Sequence, residues 1–137
     1  MNRDEALEFC GRWLPLWTGN RPEEVAEMYD DNAVYRDPNV PDGIVGRGAL
    51  LAYLRRLLAR YRDWEWEAED VFPVEGGFAL RWRARIPVRD RVIQETGLDL
   101  VLVRDGRITR NEVYFDRTAV LRAEEQASSG SLSGKPR

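Results

Sequence analysis

Through the first third of the chain apolar residues recur at helical spacing, and from residue 64 onward they alternate with polar ones. Asn2 with Glu5 forms a capping-box pattern, and Leu7, Cys10, Trp13, Leu14 and Trp17 follow on one helical face. Pro15 falls inside that run and deletes a backbone hydrogen bond, which predicts a kink or an early end near Leu14. Pro22 suits the first turn of a second, short helix carrying Val25, Met28 and Tyr29 on one face. Residues 32–37 read as a short extended piece, and Pro38, Pro41, Asp42 and Gly43 as a loop. A third helix is predicted over residues 46–62, with Leu50, Leu54, Leu57, Leu58 and Tyr61 on its buried stripe.

After Tyr61 the period becomes two. Trp64, Trp66, Ala68, Asp70 and Phe72 alternate with Glu65, Glu67, Glu69 and Val71, and beyond the Glu75-Gly76-Gly77 loop Phe78, Leu80, Trp82, Ala84 and Ile86 alternate with Ala79, Arg81, Arg83 and Arg85. A three-residue loop sets Glu69 opposite Arg83 and Glu67 opposite Arg85, matching both the apolar faces and the charges. Arg89-Asp90 turns the chain into a strand over residues 92–103, and two-residue pairing there sets Asp99 beside Leu80 on the inner face. A three-residue turn at Arg104-Asp105-Gly106 then sets Asn111 beside Asp99, with Val113 and Phe115 on the same side; a two-residue turn would move all three to the other face. Asp116 suits the cap of a last helical turn or two over residues 119–125. The domain is taken as residues 1–126, and the small, polar residues 127–137 as a flexible tail. Three N-terminal helices on one face of a curved antiparallel sheet make an α+β domain.

Composition narrows the chemistry. A chain of 137 residues holds one core, and its net charge of −3 lacks the basic footprint of nucleic-acid binding. No apolar run approaches the ~18 residues of a membrane span and no basic leader opens the chain, so the expected location is the cytosol, away from membrane. Cys10 is the only cysteine, which leaves no intrachain disulfide and points to a buried thiol. Histidine is absent and all but one of the 21 basic residues are arginine, the exception being Lys135. Histidine-based nucleophilic catalysis, the usual zinc sites and lysine Schiff bases are thereby excluded, neither metal nor cofactor is expected, and proton transfer falls to Asp, Glu or Tyr.

Two carboxylates stand out. Asp99 lies within the apolar stretch 98–103 on the inward face, where a carboxyl is either protonated or held by a partner such as Asn111. Asp37 precedes a proline in a turn, a place for local backbone bonding and also for a carboxylate at a pocket mouth. Asp70 and Glu95 share the inner face nearer the strand ends, where solvation is expected. Trp13, Trp17, Tyr35, Trp66, Leu80 and Trp82, with Asn111, Val113 and Phe115, are the expected lining of a site for a small hydrophobic molecule.

Residues 24–38, reading EVAEMYDDNAVYRDP, followed by Gly46 and a helix, and Asp105-Gly106-Arg107-Ile108 leading to Tyr114-Phe115-Asp116, carry a resemblance. Over residues 3–125 the chain resembles the SnoaL-like and ketosteroid-isomerase-like branch of the nuclear transport factor 2-like superfamily. That resemblance implies a cone-shaped, cystatin-like sheet, Asp37 as general base and Asp99 as a protonated oxyanion donor, with Trp13 where those enzymes carry a tyrosine. Against limonene epoxide hydrolase, Tyr35 and Asp37 align with the water-holding pair, but Arg83 stands where the catalytic carboxylate belongs, so that triad is not reproduced. Because one fold hosts many activities, three functions stay open: a cofactor-independent isomerase, cyclase or lyase acting on a carbonyl or polyketide-like substrate, a non-catalytic ligand-binding protein, and an interaction module. Leu98, Leu100 and Leu102 beside Arg81, Arg83 and Arg85 on the outer sheet face predict a homodimer through the sheets.

Overall fold

Asn2 opens the first helix with a full capping box: its side chain accepts from the Glu5 N–H at 2.8 Å while the Glu5 carboxylate accepts from the Asn2 N–H at 3.0 Å. In this computed structural model, which describes residues 1–133, α1 spans Arg3–Trp13 and Leu14–Trp17 continues as a 3₁₀ turn. Pro15 accounts for the change, since the helix cannot pass a residue without an N–H. The tighter turn keeps Trp13, Leu14 and Trp17 buried together. Pro22 opens α2 (Pro22–Glu27) at its first turn, and α3 spans Arg47–Arg60.

β1 (Tyr29–Arg36) starts earlier than the expected residue 32, so Tyr29 is a strand residue and not part of the second helix's face. β2 is the two-residue Ile44–Val45, and four longer strands follow: β3 Glu65–Val74, β4 Gly77–Val88, β5 Arg91–Arg104 and β6 Arg107–Tyr114. They form one sheet in the order β2-β1-β6-β5-β4-β3. The expectation of a wholly antiparallel sheet is corrected at one pair, because β1 lies parallel to β6. β1 reaches β6 only after the chain has passed through α3 and four strands, the long crossover that parallel pairing requires. The sheet curves without closing, with helices on one face.

Two hairpin registers differ from expectation for the same reason. At both turns the loop has two residues, and a bulge in the following or preceding strand supplies the extra one. Val74 pairs with Gly77, and a bulge at Glu69 shifts the outer half so that Glu67 faces Arg83 and Glu65 faces Arg85. The bulge inverts the side-chain parity of β3 beyond it: Val71 is buried at 1% exposure and Phe72, expected inside, is 45% exposed. Asp70 also leaves the interior and pairs with Arg3 at 2.9 Å. At the last hairpin Arg104 pairs with Arg107, with Asp105 and Gly106 both at positive φ as a twist-matched two-residue turn requires. A bulge at Thr109 then restores parity, so Asn111 and Val113 keep the inner face, although Asn111 sits opposite Val101 and Asp99 opposite Val113. The β4–β5 pairing of Leu80 with Asp99 is as expected.

Asp116 accepts from the Thr118 N–H at 2.9 Å and α4 runs Thr118–Ser133, well beyond the short helix expected over residues 119–125 and into the segment expected as a tail. The remainder of that segment, residues 134–137, lies outside the described residues. Among the described residues no helix is long and apolar enough to cross a membrane. On the outer sheet face Leu98 and Tyr114 are exposed at 44% and 52%, while Leu100 and Leu102 are half-buried.

Candidate functional site

Between the helices and the inner sheet face lies a cavity of about 90 Å³. Its walls come from the α1 segment (Trp13, Leu14, Trp17), the end of β1 and its loop (Tyr35, Asp37, Pro38, Asn39), the sheet (Trp66, Trp82, Asp99, Val113, Phe115) and the last helix (Val120, Leu121, Glu124). The aromatic rings brace one another edge to face: Trp13 against Trp17 at 6.0 Å between centroids, Trp17 against Trp66 at 6.1 Å and Trp82 against Phe115 at 5.3 Å.

Asp99 is 5% exposed and bonded only to neutral donors. The Trp82 indole donates to its Oδ1 at 2.7 Å and the Asn111 amide donates to its Oδ2 at 3.1 Å. Asn111 is itself held, its Oδ1 accepting from the Tyr29 hydroxyl at 2.7 Å. Burial without a cation pushes the Asp99 carboxyl up to about 7, against the opposing pull of the Asn111 and Trp82 bonds. Each oxygen keeps room for one further partner, and the cavity is where that partner would lie.

Trp82 reaches Asp99 because of a glycine. Gly97 is the cross-strand partner of Trp82, and the indole lies flat over it; a β-carbon there would stand 2.2 Å from Trp82 Cζ2. Gly97→Ala is therefore expected to displace an indole pinned by Asp99 and Phe115 and to destabilise the protein by ~1–3 kcal/mol. Urea unfolding measures this, and an unchanged midpoint would mean that the ring is not locked.

Asp37 is 7% exposed and surrounded differently. Its Oδ2 accepts from the Tyr35 and Tyr53 hydroxyls, each at 2.7 Å, and its Oδ1 accepts from the Asn39 and Val40 N–H groups at 2.8 and 3.2 Å. It is both the turn residue and the cavity-wall residue that its position before Pro38 allowed. Four donors fill the carboxylate's acceptor sites, so taking a proton requires giving one of them up. Burial and the neighbouring carboxylate push the Tyr35 hydroxyl up and keep it a donor.

Nine of the expected site residues line the cavity: Asp37, Asp99, Trp13, Trp17, Tyr35, Trp66, Trp82, Val113 and Phe115. Two do not. Leu80 is fully buried in the core, and Asn111 stands behind Asp99 and acts on it from outside the wall. Tyr53 was missed: it lies on the α3 stripe beside Leu50 and Leu54, where a tyrosine among leucines was the available signal. The α4 wall was missed because a helical turn was expected over residues 119–125 but nothing local says against which surface it packs. Among the described residues no group of three or more Asp, Glu or Cys side chains is placed to hold a metal ion, and Cys10 is buried with its thiol pushed up to about 12 by desolvation.

A curved sheet with helices over one face and an aromatic pocket between them defines a nuclear transport factor 2-like protein. The sequence model of the SnoaL-like domain matches residues 11–111, and the chain belongs to that family. Among solved structures it is similar to a hypothetical protein with a ketosteroid isomerase-like fold from Catenulispora acidiphila in complex with trimethylamine (17% identity, 86% of this chain and 92% of that one, TM-score 0.74). It is also similar to an LEH-like epoxide hydrolase from M. tuberculosis (18% identity, 97% and 98%, TM-score 0.71). A third similar structure is TerC co-crystallized with polyporic acid (12% identity, 88% and 98%, TM-score 0.72). At these identities the likeness concerns the fold. Among curated proteins none matches the sequence.

Proposed function

We propose that the protein binds a small hydrophobic carbonyl compound and moves a proton on it without metal or cofactor, as an isomerase, cyclase or lyase of the SnoaL-like family would. The observation that carries this reading is Asp99, a buried carboxyl in the wall of an aromatic cavity, held by two neutral donors and poised at about 7. A carboxyl raised toward neutrality by burial can serve as base and then as acid at ordinary pH. As carboxylate, Asp99 takes the proton from the carbon beside the carbonyl; the C–H electron pair moves into the new C=C bond, the carbonyl becomes an enolate, and Asp99 returns the proton at the same or a neighbouring carbon. This assigns the base to Asp99. Asp37, with its four donors, holds the Tyr35 and Tyr53 side of the wall in place.

NMR of acetophenone α-proton exchange in D₂O tests the reading: catalysed exchange is expected in the wild type and a loss of ~10²–10⁴-fold in Asp99→Asn. Equal exchange in the two proteins would remove Asp99 from the mechanism. The 90 Å³ cavity, smaller than the ~150 Å³ that admits benzene, favours a second reading, a fold-only relative whose pocket is largely filled by its own tryptophans, for which neither binding nor exchange of acetophenone is expected. Binding without exchange would make the protein a non-catalytic carrier of the same ligands. We also place it in the cytosol as a homodimer through the outer sheet face, where Leu98 and Tyr114 are exposed and Glu112 is buried among Arg110 and Tyr114; a monomer mass in light scattering at micromolar concentration would refute the dimer.

A further inference from the structure

Asp99 is one end of a chain of buried polar side chains that leads away from the cavity, through β6 and into β1. The Asn111 amide uses both N–H groups and its oxygen: Nδ2 donates to Asp99 Oδ2 at 3.1 Å and to the Leu100 carbonyl at 3.3 Å, and Oδ1 accepts from the Tyr29 hydroxyl at 2.7 Å. The parallel pairing of β1 with β6 makes this reach possible, since it sets Tyr29 opposite Ile108 on the strand that carries Asn111. Tyr29 and Asn111 are fully buried, so bulk water has no access to replace a lost partner.

The chain has one direction. The Leu100 carbonyl and an ionised Asp99 only accept, so the amide turns its N–H groups to them and leaves its oxygen facing Tyr29. The Tyr29 hydroxyl takes a bond from the Trp13 indole, a group that can only donate, and its own hydrogen goes to Asn111. Turning the amide over would set its oxygen against Asp99 and the Leu100 carbonyl, an arrangement open only to a protonated Asp99. Tyr29 therefore favours the amide orientation that serves the carboxylate.

The titratable groups that act on Asp99 are Cys10 from α1, Tyr29 from β1 and Asp37 from the turn after β1. Burial pushes the Cys10 thiol up to about 12 and the Tyr29 hydroxyl well above its ordinary range, so both are uncharged at neutral pH. Asp37 raises Asp99 and is unchanged in the variants below.

We propose that Tyr29 is a positioning residue for the proton-transfer site: its hydroxyl fixes the Asn111 amide, and through that amide it keeps a hydrogen bond on the ionised form of Asp99. This inference rests on the reading of Asp99 as the titrating base and adds the residue that supports its ionisation from outside the cavity wall.

Carbon-13 titration of the Asp99 carboxyl in Tyr29→Phe, in Asn111→Leu and in the double variant tests it. Tyr29→Phe removes one oxygen and keeps the ring that packs edge to face on Tyr35. The proton affinity of Asp99 is expected to rise ~3–10-fold in Tyr29→Phe, the worth of one neutral hydrogen bond, and at least as much in Asn111→Leu. In the Asn111→Leu background Tyr29→Phe is expected to change it by less than about twofold, because the chain is already cut. A purely structural Tyr29 would lower the urea midpoint and leave the Asp99 titration in place; that result overturns the assignment, as does an equal rise in both backgrounds. Should Tyr29→Phe not fold, the wild type carries the test. Asn111 side-chain N–H resonances that move with the Asp99 titration support the relay, and resonances that stay still overturn it. A wild-type midpoint near the ordinary 3.8 removes the reading of Asp99 and this inference with it, whereas a midpoint near 7 that Tyr29→Phe leaves unmoved removes this inference alone.

Discussion

Between pH 4 and pH 7 the wild-type protein is expected to lose about 3 kcal/mol of stability relative to its Asp99→Asn variant. The Asp99 carboxyl titrates at about 7 in the folded chain against an ordinary 3.8, because burial disfavours its charge. Below about pH 3 both folded and unfolded chains carry the proton and the group contributes no pH dependence. As pH rises toward 7 the unfolded chain has released the proton while the folded chain still holds it, so folding requires proton uptake and stability falls. Above 7 both are ionised and the loss is complete. Asparagine cannot titrate, so its stability curve lacks this slope, although the Asn111 amide then faces another amide and the variant starts with an offset of ~1 kcal/mol. Asp70, Glu23 and Asp116 are held below their ordinary range, by hydrogen bonds from Arg3, from the Glu23 backbone and from Thr118 respectively; stability they contribute is lost as pH falls, and it is common to both proteins. The difference between the two curves, from urea unfolding at a series of pH values, isolates Asp99. Parallel curves would mean that the carboxyl is solvated.

Asp37→Ala is expected to cost ~3–5 kcal/mol, since it leaves two tyrosine hydroxyls and the Asn39 N–H facing a hole, while the Val40 N–H keeps its bond to the carbonyl of residue 37. Asp37→Asn retains an acceptor oxygen for some of those donors and is expected to cost ~1–2 kcal/mol. The two substitutions separate anchoring from proton transfer. With Asp99 as base, the Asn variant keeps exchange activity to within about tenfold once folded, while a base at position 37 would lose ~10²-fold or more. Unfolding curves together with the exchange assay on the same samples distinguish these outcomes.

The inward faces of β4, β5 and β6 were legible because alternation survives whatever the turn length does in steps of two. Asn111 is displaced by two residues from the expected pairing and still faces Asp99. Alternation could not reveal the bulge at Glu69, which has no glycine to mark it, and so Phe72 was placed inside when Val71 is. The parallel pairing of β1 with β6 was equally hidden, since a strand's own pattern does not record its partner's direction. Asp99 could be found from the sequence because a carboxylate within an apolar strand conflicts with its surroundings. The saturation of Asp37 depends on Tyr53, sixteen residues away on α3, and on the turn geometry after Pro38, neither of which spacing alone supplies. The mouth of the cavity depends on where α4 lands, and no local signal in residues 118–127 encodes that.

The claim on which the functional reading depends is that Asp99 changes protonation near neutrality inside the cavity. Carbon-13 NMR of protein labelled at the aspartate carboxyls, with Asp99→Asn to assign the resonance, follows that proton directly from pH 3 to pH 9. A midpoint near 7 that moves when acetophenone is added is the expected result. A midpoint near 4, indifferent to the ketone, would contradict the account.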